Sequence, residues 1–147
     1  MTIVEAAVVL AVVGIMLVAG TLWNQRGPST SLVAQELVQL LVVMRWAAVH
    51  EGLPRTVLSS PSGDELRVAY GSFLCNAEGS GTRTVWSSPP RVSVGWPAMS
   101  VSFAPDGRPR RCDGSAVGNT TILIEGPRGD RAAVIVASLG RVRWERR

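Results

Sequence analysis

Hydrophobic positions are distributed in three different ways along this chain. From Met1 to Trp23 the stretch MTIVEAAVVLAVVGIMLVAGTLW is apolar except for Thr2, Glu5 and Thr21, and Ala6 to Trp23 is an uncharged run of eighteen residues. Apolar residues surround any helix drawn through it, without the polar stripe at 3.6-residue spacing that a surface helix carries. At about 1.5 Å per residue the run is roughly 27 Å long, close to the ~30 Å hydrocarbon core that a spanning helix crosses. It predicts a membrane-inserted helix, weakened locally at Gly14 and Gly20.

The second pattern is a one-sided stripe. From Leu32 to about His50, the residues Val33, Leu37, Leu40, Leu41, Met44, Ala47 and Ala48 recur at helical spacing, while Gln35, Glu36, Gln39 and His50 fall mostly elsewhere. This predicts a helix over 31–51 that lies with one face on a sheet. Gly27-Pro28 followed by Ser29-Thr30-Ser31 marks a break and restart, with Pro28 near the first turn and a Ser or Thr as cap. Gly52 is the expected stop.

After Pro54 the period changes to short β runs separated by turn residues. The candidates are Arg55 to Ser59, Leu66 to Gly71, Arg83 to Ser87, Arg91 to Trp96, Val101 to Ala104, Thr121 to Glu125, Ala132 to Ser138 and Arg141 to Glu145. Pro61 to Asp64, Pro105 to Gly107 and Pro127 to Asp130 supply turns, and Glu78 to Gly81 and Asp113 to Asn119 read as loops. The expected architecture is α+β: a long hydrophobic amino-terminal helix over 1–28, and a globular head over 29–147 in which a helix packs on an antiparallel sheet or a two-sheet sandwich. About 120 residues suit a single compact domain.

Charge and cysteine content narrow the picture only a little. All fifteen basic residues are Arg, against eleven acids, for a net charge of +4; this is a weak pointer to anionic partners. Two cysteines, Cys75 and Cys112, fit an exported domain in an oxidising compartment. They are either bridged or two separate buried thiols; a bridge would close a loop of about 38 residues, worth roughly 4 kcal/mol by chain entropy. Two Cys and a lone His50 lack metal-ligand spacing. His50, at a helix end, suits the helix dipole and has no nucleophile patterned near it. No phosphate-binding glycine loop or nucleophile elbow occurs, so neither enzyme activity nor a cofactor is expected.

Glu5 is the odd residue of the first stretch. A carboxylate near the end of a membrane helix is costly and persists mainly where it meets a positive charge. The obvious source is the α-amino group of Met1, on the same or a neighbouring chain, because no side-chain cation precedes Arg26. The alternative is that Glu5 snorkels to the headgroups.

An apolar helix starting at Met1-Thr2-Ile3-Val4-Glu5 resembles the mature start of type IV pilins and type II secretion pseudopilins, with Met1 where Phe is usual. The resemblance implies that a prepilin peptidase has removed a basic leader, that Met1 is amino-methylated, and that Glu5 acts in assembly. A cleaved secretory signal would instead want a basic start, a shorter apolar core and a small-residue cut site.

At the other end, Ser138-Leu139-Gly140 reads as a tight turn, with Gly140 at positive φ, entering a last strand. Alternation there puts Arg141 and Arg143 on one face about 7 Å apart, with Val142 and Trp144 on the other. The last seven residues hold four Arg and one acid, Glu145, and so predict a small concentrated positive patch.

The passage LVAQELVQLLVVMRWAAVHEGLPRTVL, the stretch SVSFAPDGRPR and the closing GRVR are together similar to the GspH/FimT branch of minor pilins. FimT-like proteins end in a GRxR motif that binds DNA during natural transformation; by position it falls on Gly140, Arg141 and Arg143, with Arg146 and Arg147 as further contacts. The implied partners are DNA, other pilins in a filament, the inner membrane before assembly and the prepilin peptidase. The implied location is the bacterial inner membrane, with the head in the periplasm, and then the filament.

Arg forks match phosphate oxygens bidentately and give affinity without sequence information. Four neutralised phosphates imply a log-log salt slope of about −3.6 on duplex DNA and single-subunit binding at roughly 10⁻⁴ to 10⁻⁶ M. The rival is a structural GspH-type pseudopilin or pilus-tip initiation subunit whose arginines decorate or blunt an edge strand. Trp86, Trp96 and Trp144 fit a core or its rim better than base stacking, and Arg108, Arg110 and Arg111 form a second basic cluster in an expected loop.

Overall fold

A computed structural model of the chain describes residues 29–75, 81–97 and 100–147. Met1, Glu5, the apolar leading stretch and most of the loop expected over Glu78 to Gly81 lie outside the described residues.

Helix α1 spans Thr30–Glu51. It is followed by β1 (Arg55–Ser59), β2 (Glu65–Tyr70), β3 (Thr82–Ser87), β4 (Ser93–Gly95), β5 (Ser100–Phe103), β6 (Pro109–Arg110), β7 (Thr120–Glu125), β8 (Arg131–Val136) and β9 (Val142–Arg146). The strands form two antiparallel sheets, ordered β3-β2-β1-β5-β6 and β4-β7-β8-β9. The expected α+β architecture, a helix packed on antiparallel strands, is what the chain adopts, with the strands in two sheets.

Helix α1 contacts β1 and β5 of the first sheet and β7, β8 and β9 of the second, so it serves both. Its buried side chains include Val33, Ala34, Leu37, Leu41 and Ala48, the stripe that helical spacing implied. They join Val57, Val68, Val101 and Phe103 from one sheet and Ile122, Ile124, Val134 and Val136 from the other in a single core. Burial of each Val, Leu or Ile contributes about 1.5–3 kcal/mol.

The helix start departs from expectation. Ser29 has extended geometry, and its carbonyl accepts the N–H of Leu32 at 2.9 Å, but its side chain makes no capping bond. Asp130, in the β7–β8 turn, takes that role: its Oδ2 accepts the Thr30 N–H at 3.3 Å and the Thr30 hydroxyl at 2.7 Å. A carboxylate from a distant turn therefore caps α1 and pins it to the second sheet. The helix ends at Gly52, φ 67°. Just beyond, buried Arg55 pairs with Glu51, and its guanidinium lies 4.3 Å from the centre of the Tyr70 ring.

Several strand boundaries also differ, the last strand running over Val142–Arg146 rather than Arg141 to Glu145. β4 begins at Ser93 rather than Arg91, because Arg91 has φ 69° and cannot continue a strand. β8 stops at Val136, since Ala137 to Gly140 close the next turn through the Gly140 N–H and the Ala137 carbonyl at 2.7 Å. β6 was not expected at all: two residues led by a proline carry no alternating pattern. Cys75 and Cys112 are bridged, Cα–Cα 4.7 Å.

Candidate functional site

The last hairpin is built around a glycine. Gly140 is buried, with φ 85°. A Cβ at this position would run into the Gly107 carbonyl and the Arg45 guanidinium. Arg45 in turn donates from Nε to the Gly107 carbonyl at 3.0 Å. The β8–β9 turn is thus seated on the β5–β6 turn and on α1, with Ser138 held by Asn119, whose Oδ1 accepts its N–H at 3.0 Å. Gly140 is therefore a buried seat for the turn.

From that seat β9 runs along the edge of the second sheet and, among the described residues, pairs only with β8. Arg143 lies opposite Ile135, which lies opposite Thr121, on the sheet's outer side. Val142 and Trp144 pack on the core from the inner side. Arg141 and Arg143 are exposed, and among the described residues neither has a carboxylate within 4.0 Å. Arg108 is also exposed and directly follows Gly107, the residue on which Gly140 rests. Two turns far apart in sequence thereby place Arg108 and Arg141 on either side of one contact.

The four terminal arginines do not form one patch. Strand alternation puts Arg146 opposite Ala132, on the inner side at the edge of the core, and Arg147 pairs with Glu145 at 3.3 Å. Six residues of extended chain separate Arg141 from Arg147, roughly 20 Å. The Arg108 cluster is also tempered. Asp106 accepts the Arg108 N–H at 2.9 Å and an Arg110 N–H at 3.3 Å. The Arg108 backbone bond, more than the nearby guanidiniums, holds the Asp106 carboxyl below its ordinary range.

The tryptophans weighed for stacking pack on the core: Trp86, Trp96 and Trp144 are all partly buried against it, and Trp86 Nε1 donates to Glu36 at 3.2 Å. The aromatic that stands out is Trp46, 63% exposed on α1 and stacked on His50 with ring centres 4.7 Å apart. Around it Val42, Val43, Val49 and Leu53 are exposed as well. The one-sided stripe drew attention away from this second apolar face, although its i, i+3, i+4 spacing was present in the sequence.

An apolar helix laid across two antiparallel sheets, with the last strand beside it, is a fold that solved pilin heads share. Solved structures that share this fold include a minor pilin and a minor pseudopilin. Type IV minor pilin FimU of Pseudomonas aeruginosa matches with a TM-score of 0.58 at 16% identity, over 76% of this chain and 89% of that one. A second crystal form of FimU gives 0.55, over 76% of this chain and 84% of that one. The minor pseudopilin EpsH of the type 2 secretion system of Vibrio cholerae matches with a TM-score of 0.58 at 13% identity, over 81% of this chain and 98% of that one. No protein-family model matches the chain, and no curated protein matches it. The resemblance to GspH/FimT-type pilins holds at the level of fold.

Proposed function

We propose that the chain is a minor subunit of a type IV pilus that binds DNA, without sequence preference, through the outer side of β9. The observation that carries this reading is the pair Arg141, just before β9, and Arg143, on its outer side, both exposed and without a carboxylate partner among the described residues. Gly140 seats the turn that aims them, Arg108 adds a neighbouring charge, and Arg146 and Arg147 lie further along the strand as secondary contacts. Each engaged Arg releases about one counterion.

The test is a mobility shift on short duplex DNA, with the full chain in uncharged detergent. Replacing Arg141 and Arg143 by Gln is expected to weaken binding and to reduce the log-log salt slope by about 1.8, with an unchanged far-UV spectrum. An unaltered slope, or no shift at low salt, removes the DNA reading.

A second reading is a structural pseudopilin of a type II secretion system. EpsH, a minor pseudopilin, aligns over 98% of its own length, and β9 is an edge strand, where charged side chains prevent strand addition. In both readings the exposed helix face around Trp46 suits burial against a neighbouring subunit. The leading helix, the Met1 amine and Glu5 complete the proposal: a prepilin peptidase frees the amine, and Glu5 pairs with that of a neighbouring chain in the filament. Glu5→Ala is expected to leave the head folded and abolish incorporation into filaments, scored in sheared pilus fractions.

A further inference from the structure

We infer that the end of the head around the start of α1 is a docking surface for anionic phospholipid headgroups, engaged while the subunit is held in the membrane. A concavity of about 600 Å³ opens beside Ser29 and Thr30, and five arginines line it: Arg91, Arg128, Arg131, Arg146 and Arg147. They come from three separate segments, namely the entry to β4, the β7–β8 turn with the start of β8, and the end of β9. One carboxylate, Asp130, lines it beside them; convergence of five guanidiniums from three segments is not the scatter expected of solvated surface arginines.

The local acids leave a positive excess. Glu125 is taken by Arg131 at 2.8 Å and Glu145 by Arg147 at 3.3 Å. Asp130 accepts from Thr30 and keeps its negative charge, so five arginines face three carboxylates, Glu125, Asp130 and Glu145. Arg91, Arg128 and Arg146 have no carboxylate within 4.0 Å among the described residues. Arg91 is also the one non-glycine residue with positive φ among the described residues, at 69°. Arg146 lines the concavity because alternation along β9 sends it to the inner side, opposite Ala132 at the edge of the core.

Position selects the occupant. Ser29 follows Trp23, the last residue of the uncharged apolar run, by six residues, which span at most ~20 Å fully extended. Arg26 lies within that tether. A subunit anchored by the run keeps this end of the head within reach of the headgroup layer, where attraction between Arg and anionic lipid is felt within about a Debye length. DNA could meet the same charges only from solution, whereas the tether gives the lipid phosphates a standing local concentration. The inference rests on the membrane-anchored reading and not on DNA binding.

The test uses the full chain reconstituted in nanodiscs of phosphatidylcholine alone or of phosphatidylcholine and phosphatidylglycerol in equal parts. The readout is amide hydrogen exchange by mass spectrometry. Amides of 29–31, 126–131 and 145–147 are expected to exchange more slowly in the anionic discs, and those of 113–118 equally in both. Raising the salt should reverse the protection. Each of Arg91→Gln, Arg128→Gln and Arg146→Gln should cost about fivefold of it, while the Arg141→Gln, Arg143→Gln double variant should retain it. Identical exchange of the inserted wild-type chain in the two lipids overturns the inference and leaves the anchoring reading standing. A chain that does not co-purify with the discs overturns both. Protection reproduced by inorganic phosphate in phosphatidylcholine discs shows a free-anion site and overturns the lipid assignment.

Discussion

Gly140, expected within a DNA-contacting motif, is a buried residue that sets where Arg141 and Arg143 stand. Its positive φ was readable from the sequence, because a tight turn into a last strand asks for it. Its contact with Gly107 and Arg45 was not, since no local pattern relates positions so far apart. The two costs can be separated by substitution. Gly140→Ala places a Cβ in the left-handed region and against the Gly107 carbonyl, and the expected loss is about 1–3 kcal/mol in urea denaturation. The same variant should weaken the DNA mobility shift even though every guanidinium is retained, because the turn that aims the pair must move. Gly107→Ala, which crowds Val49 and Arg45 from the opposite side, should act in the same direction. Equal DNA binding by a measurably destabilised Gly140→Ala would show that the pair needs no such seat.

For α1, the periodicity of Val33, Leu37 and Leu41 identified the helix and its buried face, and Gly52 its end. The cap was the part out of reach: Ser29 and Thr30 have the right chemistry locally, yet the bonding oxygen comes from Asp130, a hundred residues on. The Thr30 hydroxyl, followed by the Thr30 N–H, holds the Asp130 carboxyl below its ordinary value of 3.8. A carboxyl whose folded pKa lies below its unfolded one contributes stability that is full above the unfolded value and is lost as pH falls through the folded value. The melting temperature should therefore hold near neutral pH and fall below about pH 4. Asp130→Asn should melt lower than wild type at neutral pH, with the difference shrinking in acid. Asp106 and Asp113 are lowered as well, so the variant keeps part of the acid slope. A constant difference between the two proteins down to the lowest pH would show that Asp130 acts through packing and not through its charge.

At the scale of the whole molecule, the strands were largely visible as alternating runs, but their partition into two sheets was not. β1, β2 and β3 follow one another by local hairpins, whereas β5 crosses to β1 and β4 pairs with β7, and such long-range pairings leave no mark in hydrophobic alternation. The same limit split the terminal arginines: a linear count saw one patch, while strand geometry sends Arg141 and Arg143 outward near one end and Arg146 inward near the other. The bridge between Cys75 and Cys112, 37 residues apart in sequence, encloses β3, β4, β5 and β6. That loop holds strands of both sheets, so in the unfolded chain the bridge restricts segments that must pair with β2, β1 and β7. By chain entropy it contributes about 4 kcal/mol, to be read as the difference in urea unfolding free energy with and without reductant. β9 and its turn lie outside the loop. The reduced protein should consequently shift DNA with undiminished affinity at temperatures well below its lowered melting point, because the contacts between Gly140, Gly107 and Arg45 do not pass through either cysteine. Loss of the shift on reduction, in a chain still folded by far-UV circular dichroism, would mean instead that the β5–β6 turn owes its position to the bridge.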